Sequence, residues 1–247
     1  MEEFYIGDPD YQQGHWQLQN LPDNCAVVAQ ASILSQFGFD VSMDEATYVA
    51  MANGWYSPGF GTSPDDLGNV LEAYGVPTHS VDFASIEQLA AELQQGHRVL
   101  VGVNSGELWD QGPMAEFWNW FNEVTGRDSS TFTPADHAVA VTGLDLSDLN
   151  HPQVILNDPG HPDGAGQVYP LDRFMDAWEN SDFHYTSTSM APGGAGPIDF
   201  DIARFLGLGT TVAGVSFGLD PITADMAGDF VNSLVSNTDW DAVLAAI

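Results

Sequence analysis

Two apolar segments in the middle of the chain constrain the fold most, because they are close in sequence and an ionisable side chain marks one end of each. Residues 137–145 and 153–158 have the composition of buried β-strands, and residues 150–152 between them are typical of a turn. Strands adjacent in sequence usually lie side by side. Pairing of these two strands can therefore bring His137, where the first begins, near Asp158, where the second ends.

The rest of the first 188 residues combines helical and extended patterns. Apolar residues keep helical spacing over residues 24–37, and Gly38 follows as a stop signal. We also predict helices at 44–52, 63–74 (with Ser63 as N-cap), 85–95, 114–124 and 171–178, and strands at 76–81 and 98–103. Because most predicted helices precede most predicted strands, the expected class is α+β rather than a doubly wound sheet.

The charge of the chain is strongly one-sided. Its 247 residues include 35 Asp and Glu but four basic side chains, all arginine, for a formal net charge of −31 at pH 7. Phosphate binding needs clustered basic side chains, so we expect no nucleic acid partner and no binding to an anionic membrane surface. Such a charge favours cationic partners or substrates, although solvation of the protein surface also explains it.

Targeting signals are lacking in the sequence. The single cysteine, Cys25, cannot form an intramolecular disulfide. The acidic N-terminus has neither the basic nor the apolar region of a Sec signal peptide, and no apolar run reaches the roughly 18 residues of a membrane span. We therefore expect a cytoplasmic protein, or one exported by a route without an N-terminal signal.

Cys25, His137 and Asp158 together suggest nucleophilic catalysis. The positive end of a helix dipole favours the thiolate, and Cys25 stands where the helix over residues 24–37 begins. His137 would take the thiol proton and later protonate a leaving group, while Asp158 would orient the ring. Asn157 offers an amide oxygen for the same task, but neighbouring strand residues face opposite ways, so only one of the two can point at His137.

Each of these residues has a plainer interpretation when taken alone. Cysteine is often a buried structural residue, and His137 is one of seven histidines. Asp158 begins an Asp-Pro-Gly turn of a very common type. Gln19, six residues before Cys25, gains meaning only in this context, as an amide donor to an oxyanion worth about 10²–10³ in rate.

Candidates for substrate contact are weaker. Trp55, Tyr56 and Phe60 lie in a Gly-rich aromatic segment that could line a cleft, although such a loop is more often a packed connection. Asp136 and Asn157, which neighbour the proposed acid–base residues, are further candidates for substrate contact.

Three tryptophans and a group of acidic residues are further candidates for site residues. Trp109, Trp118 and Trp120 could line a cleft but fit core positions as well. Asp163 and Asp172 could bind a cation near His161, but their spacing matches no calcium loop, so we predict no metal and no cofactor.

Together these motifs resemble one known family. Gln19 and Cys25 before a helix, the segment DHAVAVTGLD at 136–145 and the segment VILNDPG at 154–160 are similar to papain-like cysteine peptidases of the bacteriocin-processing type. The residues from Tyr169 to Trp178 fit the helix that follows the aspartate in that family. The resemblance covers about residues 12–180.

The resemblance implies a papain-like α+β fold, in which an N-terminal helical part carries the nucleophile and an antiparallel sheet carries the histidine and aspartate. It also implies a Cys25–His137–Asp158 triad, an oxyanion glutamine at Gln19 and no metal. Members often have glycine directly after the cysteine, where this chain has Ala26. Their peptidase is often joined to a peptide-exporting ABC transporter, which this sequence does not contain, so that branch's substrate is not transferred.

We therefore predict a cysteine peptidase that acts on a peptide or protein substrate. The same triad can serve an amidase, a deamidase or an acyltransferase, for example in an effector delivered to a host. A binding module that uses the papain-like cleft without turnover is the alternative outside enzymology.

Composition divides the chain into three parts. Residues 1–188 form the predicted peptidase domain, 189–198 a Gly/Pro-rich linker, and 199–247 a helical or partly disordered segment. That last segment could contact the domain's own cleft or a loading or export partner. Gly193 and Gly194 form a double glycine, the sequence after which leader-processing relatives cut, so self-cleavage near Gly194 is a hypothesis beside that of a flexible linker.

Overall fold

The computed structural model describes residues 5–109 and 135–193. The strands are β1 (Tyr5–Gly7), β2 (Thr78–Val81), β3 (Val99–Val103), β4 (His137–Asp145), β5 (Gln153–Asn157), β6 (Gln167–Pro170) and β7 (Tyr185–Thr188). The helices are α1 (Pro9–Gln13), α2 (Cys25–Gln36), α3 (Met43–Asn53), α4 (Asn69–Ala73), α5 (Ile86–Gln94), α6 (Ser105–Leu108) and α7 (Leu171–Glu179), with a 3-10 turn at Pro64–Asp66.

The described strands form one antiparallel sheet with β4 near its centre. The strand order is β2-β7-β3-β4-β5-β6, and β1 pairs with β4 as well. The first eight residues of β4 are buried. A strand covered on both faces reads as a continuous apolar run, which explains its sequence.

Helices cover both faces of this sheet, and alternate residues of the central strands enter two different cores. Val101 and Val139 pack in the core that contains residues of α5 and α7. Leu100 and Ala140 pack in the core that contains residues of α2, α3 and α4. The strand period of two therefore sends successive side chains to opposite faces.

Two of the helices have the end signals that their sequences suggest. The N-terminus of α5 has a complete capping box, in which the Ser85 and Gln88 side chains each accept from the other's backbone N–H. In α3, the Ser42 side chain accepts from the backbone N–H of Glu45, and Gly54 ends the helix in the left-handed conformation.

The structure confirms the α+β class, with two differences in detail. A strand, β1, precedes the first helix, so helices and strands alternate more than we expected. The helix predicted over residues 63–74 is broken into the 3-10 turn and α4 by Gly68, whose φ is +95° and where a Cβ would lie 2.7 Å from Thr78 Oγ1. Ser63 precedes the turn but makes no side-chain capping bond.

Several sequence predictions fall outside the described residues. These are the helix at 114–124, with Trp118 and Trp120, most of the 189–198 linker, Gly194, and the C-terminal segment 199–247. The three-part division of the chain stays a prediction. Among residues 5–109 and 135–193, no helix has the length and apolar character needed to cross a membrane.

Candidate active site

Cys25 is the first residue of α2, and a network of side chains holds the loop before it. Asn24 is fully buried, and its side chain accepts from the Leu21 backbone N–H at 3.2 Å. The same side chain donates to Asn20 Oδ1 at 3.0 Å and to Thr47 Oγ1 on α3 at 3.2 Å. The backbone that delivers the thiol is therefore fixed from both sides.

The thiol itself is partly buried and packs beside the first residues of β4. Cys25 contacts a small cluster formed by Ala26, Leu67 and Ala138. Because Ala138 follows His137, this packing brings the start of α2 against the start of β4.

His137 and Asp158 meet at the open end of the β4–β5 hairpin. His137 Nε2 lies 2.6 Å from Asp158 Oδ1, and both side chains are buried. The second carboxylate oxygen accepts from Trp109 Nε1 at 2.8 Å, and Oδ1 also accepts from the Gly160 backbone N–H at 2.8 Å. Both oxygens of this buried carboxylate are therefore satisfied, as burial of a charge requires.

The charges of the site favour the protonated ring beside an ionised carboxylate. Burial, the largest influence, lowers the pKa of His137, but the charges of Asp158 and Cys25 and hydrogen bonds with both outweigh it and raise this pKa well above its usual value. For Asp158, burial raises the pKa, but His137, Trp109 and the Gly160 N–H lower it below the ordinary value. Since Asp158 occupies Nε2, the ring nitrogen that remains for the Cys25 contact is Nδ1.

Strand alternation separates the two residues that sequence reasoning offered as partners of the histidine. Asp158 faces His137, whereas the buried Asn157 side chain donates to the Gln12 backbone carbonyl at 2.8 Å and accepts from the Gly166 N–H at 3.0 Å. Asn157 therefore fastens α1 to the loop after β5. Both of these contacts of the Asn157 side chain, which is predicted from the sequence to bind substrate, are with backbone groups of the protein itself.

A glycine after the aspartate leaves room for the imidazole. A Cβ built on Gly160 would lie 2.7 Å from His137 Cε1 and 3.1 Å from Nε2. Its backbone N–H at the same time donates to Asp158. The local sequence at Gly160 indicates only a common turn, and nothing in it indicates contact with a residue on another strand.

Two tryptophans hold Asp158 from different directions. Trp109, at the end of α6, is buried, donates to the carboxylate and has its ring centroid 5.2 Å from that of His137. Trp16 donates its indole N–H to the backbone carbonyl of Asp158 at 2.7 Å. The sequence pattern fits Trp109 to a cleft or to the core, and it gives no signal for Trp16.

Gln19 lies in the loop before Cys25 and contacts the residue that follows Asp158. Its backbone N–H donates to the Pro159 carbonyl at 2.8 Å, and its side-chain Nε2 donates to the Leu21 carbonyl at 2.9 Å. Its Oε1 is buried and has no hydrogen-bond partner within the described residues. An amide nitrogen carries two hydrogens, so one remains for another acceptor.

The predicted substrate contacts differ in exposure. Tyr56 is only 2% exposed, and its hydroxyl donates to Asp23 Oδ1 at 2.6 Å, so its ring supports the nucleophile loop instead of forming a surface. Trp55 is half-buried against the core that contains α2. Asp136 accepts from the backbone N–H and the hydroxyl of Ser105, at 2.8 and 2.9 Å, and so holds the start of α6.

In the two described ranges, no group of three or more His, Cys, Asp or Glu side chains is placed to hold a metal ion. The carboxylate of Asp158 is fully engaged by His137, Trp109 and Gly160.

Comparison with known proteins gives two kinds of similarity. The model of the Peptidase_C39 like family matches residues 7–186. Uncharacterized proteins of Mycobacterium tuberculosis and Mycobacterium bovis are each 28% identical over 212 residues, which covers 74% of this chain and 84% of theirs.

Two solved structures are similar to this chain, and the first has a TM-score above 0.5. A candidate C39-like peptidase from Bacillus anthracis superposes with a TM-score of 0.52 at 16% identity, covering 78% of this chain and all of that one. The peptidase domain of Streptococcus ComA, a bi-functional ABC transporter, gives a TM-score of 0.45 at 17% identity, covering 70% of this chain and 96% of that one. The predicted papain-like fold class is thereby confirmed.

Proposed function

This chain belongs to the Peptidase_C39 like family, and from that premise we propose that it is a cysteine peptidase that hydrolyses peptide bonds with Cys25, His137 and Asp158. One observation carries the proposal. The buried His137 ring lies 2.6 Å from the Asp158 carboxylate, and the sole thiol of the chain packs beside Ala138, the next residue of the strand. The charge of Cys25 and a side-chain hydrogen bond with it are among the causes that raise the pKa of His137. Sulfur, imidazole and carboxylate in this order form the nucleophile–base–orienter series of covalent acyl-transfer enzymes.

The reaction follows from these positions. The Cys25 thiolate attacks the carbonyl carbon of the scissile bond, and the electron pair moves onto the carbonyl oxygen. His137 gives its proton to the leaving amine nitrogen as the carbon–nitrogen bond breaks, which leaves a thioester. The neutral imidazole then takes a proton from water, the hydroxide attacks the thioester carbon, and the thiolate leaves as the acid product forms.

Two hydrogen-bond donors are available to stabilise the oxyanion that forms when the thiolate attacks the carbonyl carbon. The Cys25 backbone N–H belongs to the first turn of α2, where N–H groups have no partner within the helix. Gln19 Nε2 uses one hydrogen on the Leu21 carbonyl and keeps a second. Each such donor contributes about 10²–10³ in rate.

The test uses the whole protein and a proteome-derived peptide mixture. Wild type and Cys25→Ala are incubated with the same peptides, and products are identified by mass spectrometry. We expect new termini, each formed by addition of one water, in the wild-type reaction alone. Identical products from both proteins would sink the proposal.

The peptide digestion and a second, thiol-labelling experiment separate the alternative functions. Loss of ammonia from a side-chain amide would indicate a deamidase, and joining of an acyl group to an amine would indicate an acyltransferase. A thiol-reactive probe identifies a binding module: we expect rapid labelling of Cys25 that requires His137, and labelling no faster than that of free cysteine would indicate no catalytic activation.

Self-cleavage near Gly194 stays a separate hypothesis about the linker. Intact-mass measurements over several days test it. A wild-type mass that falls with time, while that of Cys25→Ala does not, is the expected result; unchanged and equal masses contradict it.

A further inference from the structure

A tight hairpin beside the nucleophile carries an exposed phenylalanine at its tip. Ser57 and Gly61 exchange backbone hydrogen bonds of 3.0 Å, and the Phe60 N–H donates to the Ser57 carbonyl at 3.0 Å. Gly59 and Gly61 take positive φ values of 85° and 78°, which glycine adopts without strain. Phe60 is 89% exposed on this closed loop.

Asp23, two residues before Cys25, fastens this hairpin. Its Oδ1 accepts from the Tyr56 hydroxyl at 2.6 Å, and its Oδ2 accepts from the Gly59 backbone N–H. A Cβ built on Gly61 would lie 3.5 Å from the Asp23 carbonyl oxygen, so the other arm of the hairpin also faces this residue. The hairpin is therefore attached to the backbone that delivers the thiol.

Residues before and after the hairpin also lie near Cys25. Before it, the charge of Cys25 contributes to the raised pKa of Tyr56, after burial and the hydrogen bond to Asp23. After it, Leu67 packs in the small cluster beside Cys25. The chain and side-chain lengths from Cys25 through Asp23 to Gly59 place the Phe60 Cα within about 19 Å of the Cys25 Cα, a distance that about five to six extended residues span.

An exposed aromatic ring on a rigid, fastened loop is suited to contact with a ligand. Contact that removes a large apolar side chain from water is favourable, and a closed loop loses little entropy when such contact forms. Tyr56 and Trp55, its aromatic neighbours, are already packed. Of these three aromatic residues, Phe60 alone is highly exposed.

We propose that Phe60 is a specificity-determining residue, which contacts a large apolar side chain of the substrate peptide within about six residues of the scissile bond. This inference rests on the proposed peptidase function. It names the substrate class of the same site: peptides with a Phe, Leu, Ile, Met or Tyr at one position near the cleaved bond.

The test compares cleavage of synthetic octapeptides randomised at every position. Wild type, Phe60→Ala and Phe60→Leu are assayed, with Cys25→Ala as the blank. Phe83→Ala is the matched control, because Phe83 is also highly exposed (77%) but follows β2, which two strands separate from β4. Relative kcat/KM values for each cleaved sequence are obtained from product formation.

We expect wild type, Phe60→Leu and Phe83→Ala to favour large apolar residues at one position, and Phe60→Ala to lose about 10-fold of that preference. Retention of the same preference by Phe60→Ala, or a uniform loss over all peptides, overturns the specificity role while the peptidase function stands. Absence of any cleavage that depends on Cys25 overturns the peptidase function, and this inference with it.

Discussion

The β4–β5 hairpin carries an Asp–His pair at each of its two ends, in opposite environments. In the turn, Asp148 Oδ2 lies 2.9 Å from His151 Nδ1, and the two side chains are 59% and 81% exposed. At the open end, Asp158 Oδ1 lies 2.6 Å from His137 Nε2, and the side chains are 0% and 6% exposed. Both pairs join an imidazole nitrogen to a carboxylate oxygen at similar distances, so the main difference between them is their exposure to water.

The comparison shows that burial, more than pairing, makes the open end a candidate for catalysis. The pKa of Asp148 is lowered, first by the hydrogen bond from His151 and then by the Asn150 N–H, just as that of Asp158 is lowered by its own partners. The direction of the shift therefore does not distinguish the two carboxylates. Water screens the pair in the turn, whereas the buried pair interacts in a medium of low dielectric constant.

The largest expected difference between the two ends is catalytic. His137→Gln removes the base and acid of the proposed reaction, so kcat/KM for a cleaved peptide should fall about 10³-fold. His151→Gln, at the turn, should change it less than about two-fold, because that ring is exposed and lies at the other end of the hairpin. Steady-state assays on one peptide decide this, and equal losses would break the comparison.

The second difference is in stability. Asp158→Asn removes the larger of the two negative charges that favour the buried imidazolium, and the free energy of unfolding should fall by about 3 kcal/mol. Asp148→Asn should leave it within error of wild type, because water solvates that pair. Urea denaturation at pH 6 measures both. A loss for Asp148→Asn as large as that for Asp158→Asn would contradict the argument from burial.

The third concerns the space around the buried ring. In Gly160→Ala the new Cβ would lie 2.7 Å from His137 Cε1, so the imidazole must move. A displacement on the order of 1 Å can cost about 10² in rate, so kcat should fall by about that factor. Gly14→Ala is the control, since its Cβ would meet only the Tyr11 carbonyl oxygen at 3.4 Å. Activity of Gly160→Ala equal to that of the control would show that the ring has more room than the structure indicates.

The meeting of His137 and Asp158 could be predicted because each step is local. An apolar run, a turn and a second run predict a hairpin, and the strand period of two decides between Asp158 and Asn157 once one of them faces the ring. The start of α2 at Cys25 follows from helical spacing in the same way. Such signals lie within windows of a dozen residues, where pattern and structure are directly linked.

The groups around the pair could not be predicted, because their contacts join distant parts of the chain. Trp16 is 142 residues from Asp158 in sequence, and Trp109 is 49 residues from it. An indole that donates to a remote carboxylate has the same local pattern as one that fills a core. Asp136 shows the same limit: its position next to His137 suggests substrate contact, while the bonds that its carboxylate accepts from Ser105, 31 residues away, have no signal in the local pattern.

Trp109 and Trp16 both donate a hydrogen bond to Asp158, but to different groups of that residue. The smallest expected effect is therefore the difference between a bond to a buried charge and a bond to a neutral group beside it. Trp109 donates to the carboxylate, and its hydrogen bond is among the causes that lower the pKa of Asp158. Trp16 donates to the backbone carbonyl, whose charge does not change with pH. Replacing either by Phe removes one indole N–H, but only the bond to the carboxylate depends on ionisation.

The sign of the pH effect follows from linkage. A carboxyl whose folded-state pKa is lowered contributes stability that is present above its unfolded pKa and is lost as the pH falls through the folded value. Trp109→Phe should therefore lower the free energy of unfolding by about 1–2 kcal/mol near pH 6, and part of this deficit should vanish as the pH falls below about 4, because the folded-state pKa of Asp158 lies below its ordinary value. The deficit of Trp16→Phe should stay constant over the same range. Urea denaturation at several pH values gives both curves, and parallel deficits would mean that the Trp109 indole acts on Asp158 by packing and not through its charge.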